Sequence, residues 1–169
     1  ISLFMVRPTE EYLQCAQCVL RYVNGTKDRG LLYQTGTVAQ LVGYTDADWA
    51  GNVADRRSTF GYAFSLGSAA ITWSSKKQLT IALSSTEAEY RGAAVVTCEA
   101  IWLKRLLKDL QEEVSDPMTI YYDNLSNIQL TKNPVFYARI KHIEVHYHFV
   151  CERVLSGEVE LQYVTTDRQ

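Results

Sequence analysis

Leu41-Val42-Gly43-Tyr44-Thr45-Asp46-Ala47-Asp48-Trp49 is the stretch from which the fold is read. Its residues alternate with the period of a strand. Leu41, Gly43 and Thr45 are expected on one face, and Val42, Tyr44, Asp46 and Asp48 on the other. A polar segment follows over 50–58, a turn with a basic tip at Asp55-Arg56-Arg57-Ser58. Residues 59–66 and 69–74 then flank Gly67-Ser68, which predicts a hairpin. A further extended segment is expected over 79–82. At Ser84 the period changes. Ser84 and Glu87 form a capping box, and Tyr90, Ala93, Ala94, Cys98 and Ile101 carry a helix to about Leu110.

After Pro117 a strand is expected over 118–122, then a short helix from Asp123-Asn124 through 130. A long helix is expected over 138–155, stopped by Gly157, and a last strand over 159–164. Upstream of Leu41, residues 9–24 carry a helical stripe and 30–34 a short strand. This divides the chain into 1–40 and a main domain, 41–169. Five strands with helices between them predict an α/β fold with a mixed sheet flanked by helices.

Composition bounds the function. The chain has 169 residues, of which 47% are hydrophobic, enough for a buried core. Its net charge of −2 is not that of a globally basic nucleic-acid binder, so polyanion contacts must come from local patches. The four cysteines (Cys15, Cys18, Cys98 and Cys151) are too scattered for a disulfide scaffold and lack zinc-ribbon spacing. Neither a signal peptide nor an apolar run of membrane length is present. A reducing compartment, cytoplasm or nucleus, is expected, with no membrane partner. Both ends look cut from something longer.

Four acids stand where elements begin or end: Asp46 late in the first strand, Glu89 early in the capped helix, Asp123 after the fourth strand, and Glu144 in the last long helix. Such edges collect function in α/β folds. Clustered carboxylates repel unless a cation neutralises them, and hard oxygen ligands select Mg²⁺ or Mn²⁺. Two such ions can activate water and stabilise the leaving oxygen of a phosphodiester.

Longer motifs add to this. Gly43-Tyr44-Thr45-Asp46-Ala47-Asp48-Trp49, Trp73-Ser74-Ser75-Lys76-Lys77-Gln78, Ser84-Ser85-Thr86-Glu87-Ala88-Glu89-Tyr90, Tyr122-Asp123-Asn124 and Lys141-His142-Ile143-Glu144 occur in that order. Together they resemble the ribonuclease H (RNase H) domain of copia-type retrotransposon Pol polyproteins. Residues before Gln40 resemble the tail joining it to reverse transcriptase. The resemblance implies an RNase H fold that hydrolyses the RNA strand of RNA–DNA hybrids with two metal ions, in a virus-like particle in the cytoplasm or in the nucleus. It also implies an upstream reverse transcriptase domain in the same polyprotein as partner. Its first catalytic acid falls on Asp46, with Asp48 the runner-up ligand, its Glu on Glu89 and its next Asp on Asp123. Glu144 is the choice for the fourth.

Glu87 and Glu89 lie 200° apart on the helix, and Glu87 is used in the cap, so only Glu89 is free for a site. One or two of His142, His146 and His148, with His146 the choice, are expected to assist proton transfer or product release near the metals; the alternative is a structural or surface histidine. His142 and His146 are spaced i, i+4, but the zinc-peptidase order is missing. Arg56, Arg57, Lys76 and Lys77 are candidates for phosphate contacts, with solvated loop charge as the alternative reading. Ser74, Ser75, Thr86 and Asn124 are expected to read 2′-hydroxyls. Trp49 and Trp73 serve either as core or as stacking groups. The alternative function is a catalytically decayed remnant that only binds nucleic acid or serves structurally.

Overall fold

A computed structural model describes residues 9–50, 56–112, 116–124, 128, 131 and 144–165, with Glu144 described by its backbone. Its elements are α1 (Glu10–Gly25), β1 (Leu41–Asp48), β2 (Thr59–Leu66), β3 (Ala69–Lys77), α2 (Ser85–Asp109), β4 (Met118–Tyr122), α3 (Glu144–Leu155) and β5 (Val159–Tyr163). Two compact units divide the chain, Ile1–Leu32 and Tyr33–Gln169.

The first unit carries α1, which buries no residue of its own. The second begins at Tyr33 because the residues after it are stitched to the β2–β3 hairpin. The Tyr33 hydroxyl donates to the Ala70 carbonyl at 2.7 Å, the Gln34 amide to the Ser68 hydroxyl at 3.0 Å, and the Gly67 amide to the Gln40 carbonyl at 2.9 Å. These side-chain contacts replace the strand expected over 30–34, which does not form.

The five strands run in the order β3-β2-β1-β4-β5. β1 pairs antiparallel with β2, and β2 with β3, whereas β1–β4 and β4–β5 are parallel. The sheet is therefore mixed, as expected. β3 runs three residues beyond the expected 74 because Ser75, Lys76 and Lys77 continue the ladder opposite Gly61, Phe60 and Thr59. The extended segment expected over 79–82 is not a strand. It is held instead by Trp49, just after β1, and by side chains of α2, described below.

Alternation in β1 is as expected, with Leu41, Gly43 and Thr45 buried. That face joins Phe64, Ile120 and Leu161 of the sheet with Ala93, Val96, Ala100 and Leu103 of α2 and Val150 of α3 in one core. Gly43 is required by a close approach. A Cβ there would meet Phe64 Cε1 at 2.6 Å. Beside this core, Tyr90 of α2 and Tyr147 of α3 meet edge to face at 5.3 Å, over Cys151. α3 is helical from Glu144; the earlier part of the helix expected from 138 lies outside the described residues. Of the short helix expected after Asp123, only 128 and 131 are described, both helical. Among the described residues, no helix is long and apolar enough to cross a membrane.

Candidate active site

The strand ladder brings two acids together. Thr45 of β1 pairs with Tyr122 of the parallel β4, so the next residues in register are Asp46 and Asp123. They sit side by side at the same end of neighbouring strands, about 5 Å apart at the backbone. On the other flank Asp46 faces Gly61, whose missing side chain leaves the acid's near side open, and Gly61 faces Ser75. Asp48 follows on the same face of β1 and is exposed.

α2 supplies the third acid, and its first turn decides which. The Glu87 amide donates to the Ser84 side chain at 3.1 Å. Glu87 itself is 3% exposed. Its carboxylate accepts from the Leu83 amide at 2.6 Å and from Arg91 at 2.5 Å. It reaches one residue further back than the cap residue itself, and it is fully committed to holding the helix start. Glu89, two residues on, points elsewhere. Its Oε2 accepts from the Tyr122 hydroxyl at 3.2 Å and from the Asn124 side-chain amide. Glu89 is thus tied to both residues that flank Asp123.

Charge links the three acids. Asp46 is exposed as a residue, yet partial burial of its carboxyl raises its pKa. The Asp123 and Asp48 charges raise it further, against a lowering by the Ala47 amide. Glu89 is raised by burial first, then by Asp123 and Asp46, while its bonds from Tyr122 and Asn124 lower it. Each acid therefore sits in the negative field of the others, which is the electrostatic condition a cation relieves. An all-carboxylate set suits a hard ion such as Mg²⁺ or Mn²⁺ and not zinc. Among the described residues no group of three acidic, His or Cys side chains forms a ready metal cage.

The other candidate residues separate. Ser75 lies in the row Ser75–Gly61–Asp46, beside the acids. Ser74 faces the other way and bonds Tyr62, whose hydroxyl also meets Glu99. Asn124 is spent on Glu89. Thr86 is half-buried in the first turn of α2. Arg56 and Arg57 are exposed at the tip after β1, with Arg56 in the left-handed region at φ 53°. Lys76, Lys77 and His146 line one cleft with Arg91 and Val95. The cleft lies on the side of α2 opposite Glu89, since positions 89 and 91 are about 200° apart. His142 and the side chain of Glu144 lie outside the described residues. Trp49 is neither core nor free: half exposed, its indole donates to the Ala82 carbonyl at 3.3 Å. Trp73 is exposed on the edge strand.

Tyr122, which donates to Glu89, is the site contact the sequence reading missed. Strand alternation would have placed it on the α2 face of β4, where a phenol can reach a helix carboxylate.

No family model matches the chain. The Pol polyprotein from transposon RE1 of Arabidopsis thaliana is 44% identical over all 169 residues, and that from transposon TNT 1-94 of Nicotiana tabacum is 40% identical over 167. This chain spans only 12% of the length of each. A 103-residue stretch, 61% of the chain, is 48% identical to 72% of the secreted RxLR effector protein 161 of Plasmopara viticola. Among solved structures, LC11-RNase H1, isolated from compost, matches with a TM-score of 0.55 at 14% identity over 77% of this chain and 87% of that one. Its complex with an RNA/DNA hybrid matches at 0.50, with 11% identity over 76% and 88%. The protease-reverse transcriptase of prototype foamy virus matches at 0.51, with 12% identity over 79% of this chain and 18% of that one. Along its whole length this chain is therefore homologous to a segment of the retrovirus-related Pol polyproteins of copia-type transposons, and with the strand order and helices just described it has an RNase H fold.

Proposed function

We propose that this domain hydrolyses the RNA strand of RNA–DNA hybrids during reverse transcription of its parent element, working beside the reverse transcriptase domain of the same polyprotein. The observation that carries the reading is the meeting of Asp46, Glu89 and Asp123 from three elements in one mutually repelling cluster. The polyprotein relatives and the RNase H fold support it.

Asp46, Glu89 and Asp123 would hold two Mg²⁺ or Mn²⁺ ions, with Glu144 at the start of α3 as the fourth ligand to test. When bound, such ions supply a water nucleophile of lowered pKa and charge stabilisation for the phosphodiester. The chain's own part is positional. Tyr122 and Asn124 fix Glu89, the strand register fixes Asp46 against Asp123, and the Glu87–Arg91 pair fixes the start of α2. Ser75, in the row of Asp46, and Thr86 would meet 2′-hydroxyls of an RNA strand.

The test is cleavage of an end-labelled RNA–DNA hybrid across a Mg²⁺ and Mn²⁺ titration, with double-stranded DNA as control. Metal-dependent cutting of the RNA strand alone, lost in Asp123→Asn, is expected. A protein that binds the hybrid but leaves it intact at every metal concentration would instead be the decayed remnant.

A further inference from the structure

Gln78 follows directly on the last residue of β3 and is 5% exposed. It bonds at both ends. Its backbone amide donates to the Ser58 carbonyl at 2.8 Å, and its side-chain nitrogen to the Ala88 carbonyl at 2.7 Å. A carbonyl only accepts, so the nitrogen must face Ala88 and the oxygen turns away. That oxygen is buried without a hydrogen-bond partner. An open buried acceptor is uncommon and weakens a fold, so its presence calls for a reason. An apolar side chain of the same size would fill the place without that defect.

Each end of Gln78 leads to the acids. Ala88 and Glu89 share one planar peptide unit, so a bond to the Ala88 carbonyl holds the backbone that carries Glu89. Ser58 is 0% exposed, and its hydroxyl accepts from the Ala50 amide at 3.2 Å, across the turn that follows β1. The next residue, Thr59, pairs with Asp48 of β1 and Lys77 of β3. α2 also comes down on β1 close by. A Cβ on Gly92 would touch Phe60 at 3.4 Å and Ala47, the neighbour of Asp46, at 3.7 Å. Gly92 gives contact but no direction, since it has no side chain to bond. Glu87 and Arg91 tie α2 to Leu83 and Thr80 in the segment after β3. Gln78 ties it to the end of the sheet itself.

We propose that Gln78 is a positioning residue of the acidic site: it holds the Ala88–Glu89 peptide in a fixed place against the sheet and so sets Glu89 relative to Asp46 and Asp123. Tyr122 and Asn124 hold the Glu89 carboxylate, and Gln78 holds the backbone behind it. The open oxygen is the consequence of that grip, because an amide that presents its nitrogen to Ala88 must leave its oxygen on the other side. The inference rests on the metal-binding reading of the acids given above, and it is tested on metal affinity as well as on cleavage.

The experiment compares the full chain with Gln78→Met, which keeps the volume and removes both the grip and the open oxygen. Calorimetric titration with Mn²⁺, without nucleic acid, reads the site. Groups that orient a metal ligand from behind carry about 10–100-fold in metal affinity or activity, and the lower end applies to one that acts through the backbone. Mn²⁺ affinity should fall about tenfold, and kcat on the hybrid with it. KM for the hybrid should stay as in the unmutated chain. Tm without metal should not fall, since the lost hydrogen bond is offset by removal of the open acceptor. Unchanged Mn²⁺ affinity overturns the proposal, and with a lower Tm it makes Gln78 a support of the fold only. If Gln78→Met does not fold, Gln78→Leu takes its place. Failure of both to fold, or an affinity loss that comes with a lower Tm in both, also overturns it, as does a wild-type chain that binds no Mn²⁺. A wild-type chain that binds Mn²⁺ but cuts no hybrid defeats the cleavage reading alone, and the change in affinity then still decides Gln78.

Discussion

Removing one carboxylate from the cluster should abolish activity and strengthen the metal-free fold. Asp123→Asn keeps the shape of the side chain and deletes a charge next to Asp46. Taking the strand spacing of about 5 Å for their separation, two unit charges repel by about 3 kcal/mol at an effective dielectric of 20 and by under 1 kcal/mol in water. Asp46 is exposed, so the screened end of that range applies, and the gain should be about 1 kcal/mol. In a domain of this size that raises Tm by about 2–4 °C without divalent ions. The sign with pH follows the same cause. Folding raises the pKa of Asp46 and Glu89 above 3.8 and 4.5, so the folded state disfavours their ionised forms. The resulting loss of stability is absent below those ordinary values and complete above the raised ones. The metal-free protein should therefore gain stability from these two groups as pH falls through that window. Mg²⁺ should reverse the ranking: at about 100 times its Kd it stabilises the unmutated domain by about 2.7 kcal/mol, and Asp123→Asn should respond far less. Differential scanning calorimetry with EDTA and with Mg²⁺, from pH 4 to 7, reads all of this. A variant less stable than the unmutated protein in EDTA, or one with an undiminished Mg²⁺ response, would refute the shared-field argument.

Other changes separate structural from functional groups. Tyr122→Phe removes one hydrogen bond to a carboxylate, worth about 1.5 kcal/mol, so Tm should fall by about 3–6 °C and cleavage should slow by up to about tenfold; a variant with unaltered kcat would remove Tyr122 from the site. Glu87→Gln breaks a buried pair and should cost about 3 kcal/mol in urea unfolding, whereas Glu89→Gln should cost none and abolish cleavage. The opposite ranking would exchange their roles. Gly43→Ala forces a methyl against the Phe64 ring and should destabilise by about 1–3 kcal/mol; a neutral result would show that the ring moves aside freely.

Much of the fold was legible because it is written in local periodicity. The strand at Leu41, the hairpin around Gly67-Ser68 and the capped helix at Ser84 each depend on neighbours in sequence, and all three formed. The misread segments, 30–34 and 79–82, are held by side chains from distant residues: Tyr33 to Ala70, Arg91 to Thr80 and Trp49 to Ala82. No local pattern records such partners. In the site, the resemblance put the role on Glu89; helix phase and the use of Glu87 in the cap agreed that only one of the two could serve, because the angle between two helical positions is fixed by geometry.

The sequence by itself determined the elements written in local periodicity and which acids stand at their ends. Only the tertiary structure decided how those ends meet. The parallel pairing of β1 with β4 puts Asp46 beside Asp123, and the crossing of α2 brings Glu89 to Tyr122 and Asn124. The same crossing places Lys76, Lys77 and His146 together on the far side of the helix. The physical reason is that strand order and helix crossing are set by burial of the common core, Phe64, Ile120, Val96 and Val150 among it, and burial is a sum over residues far apart in the chain.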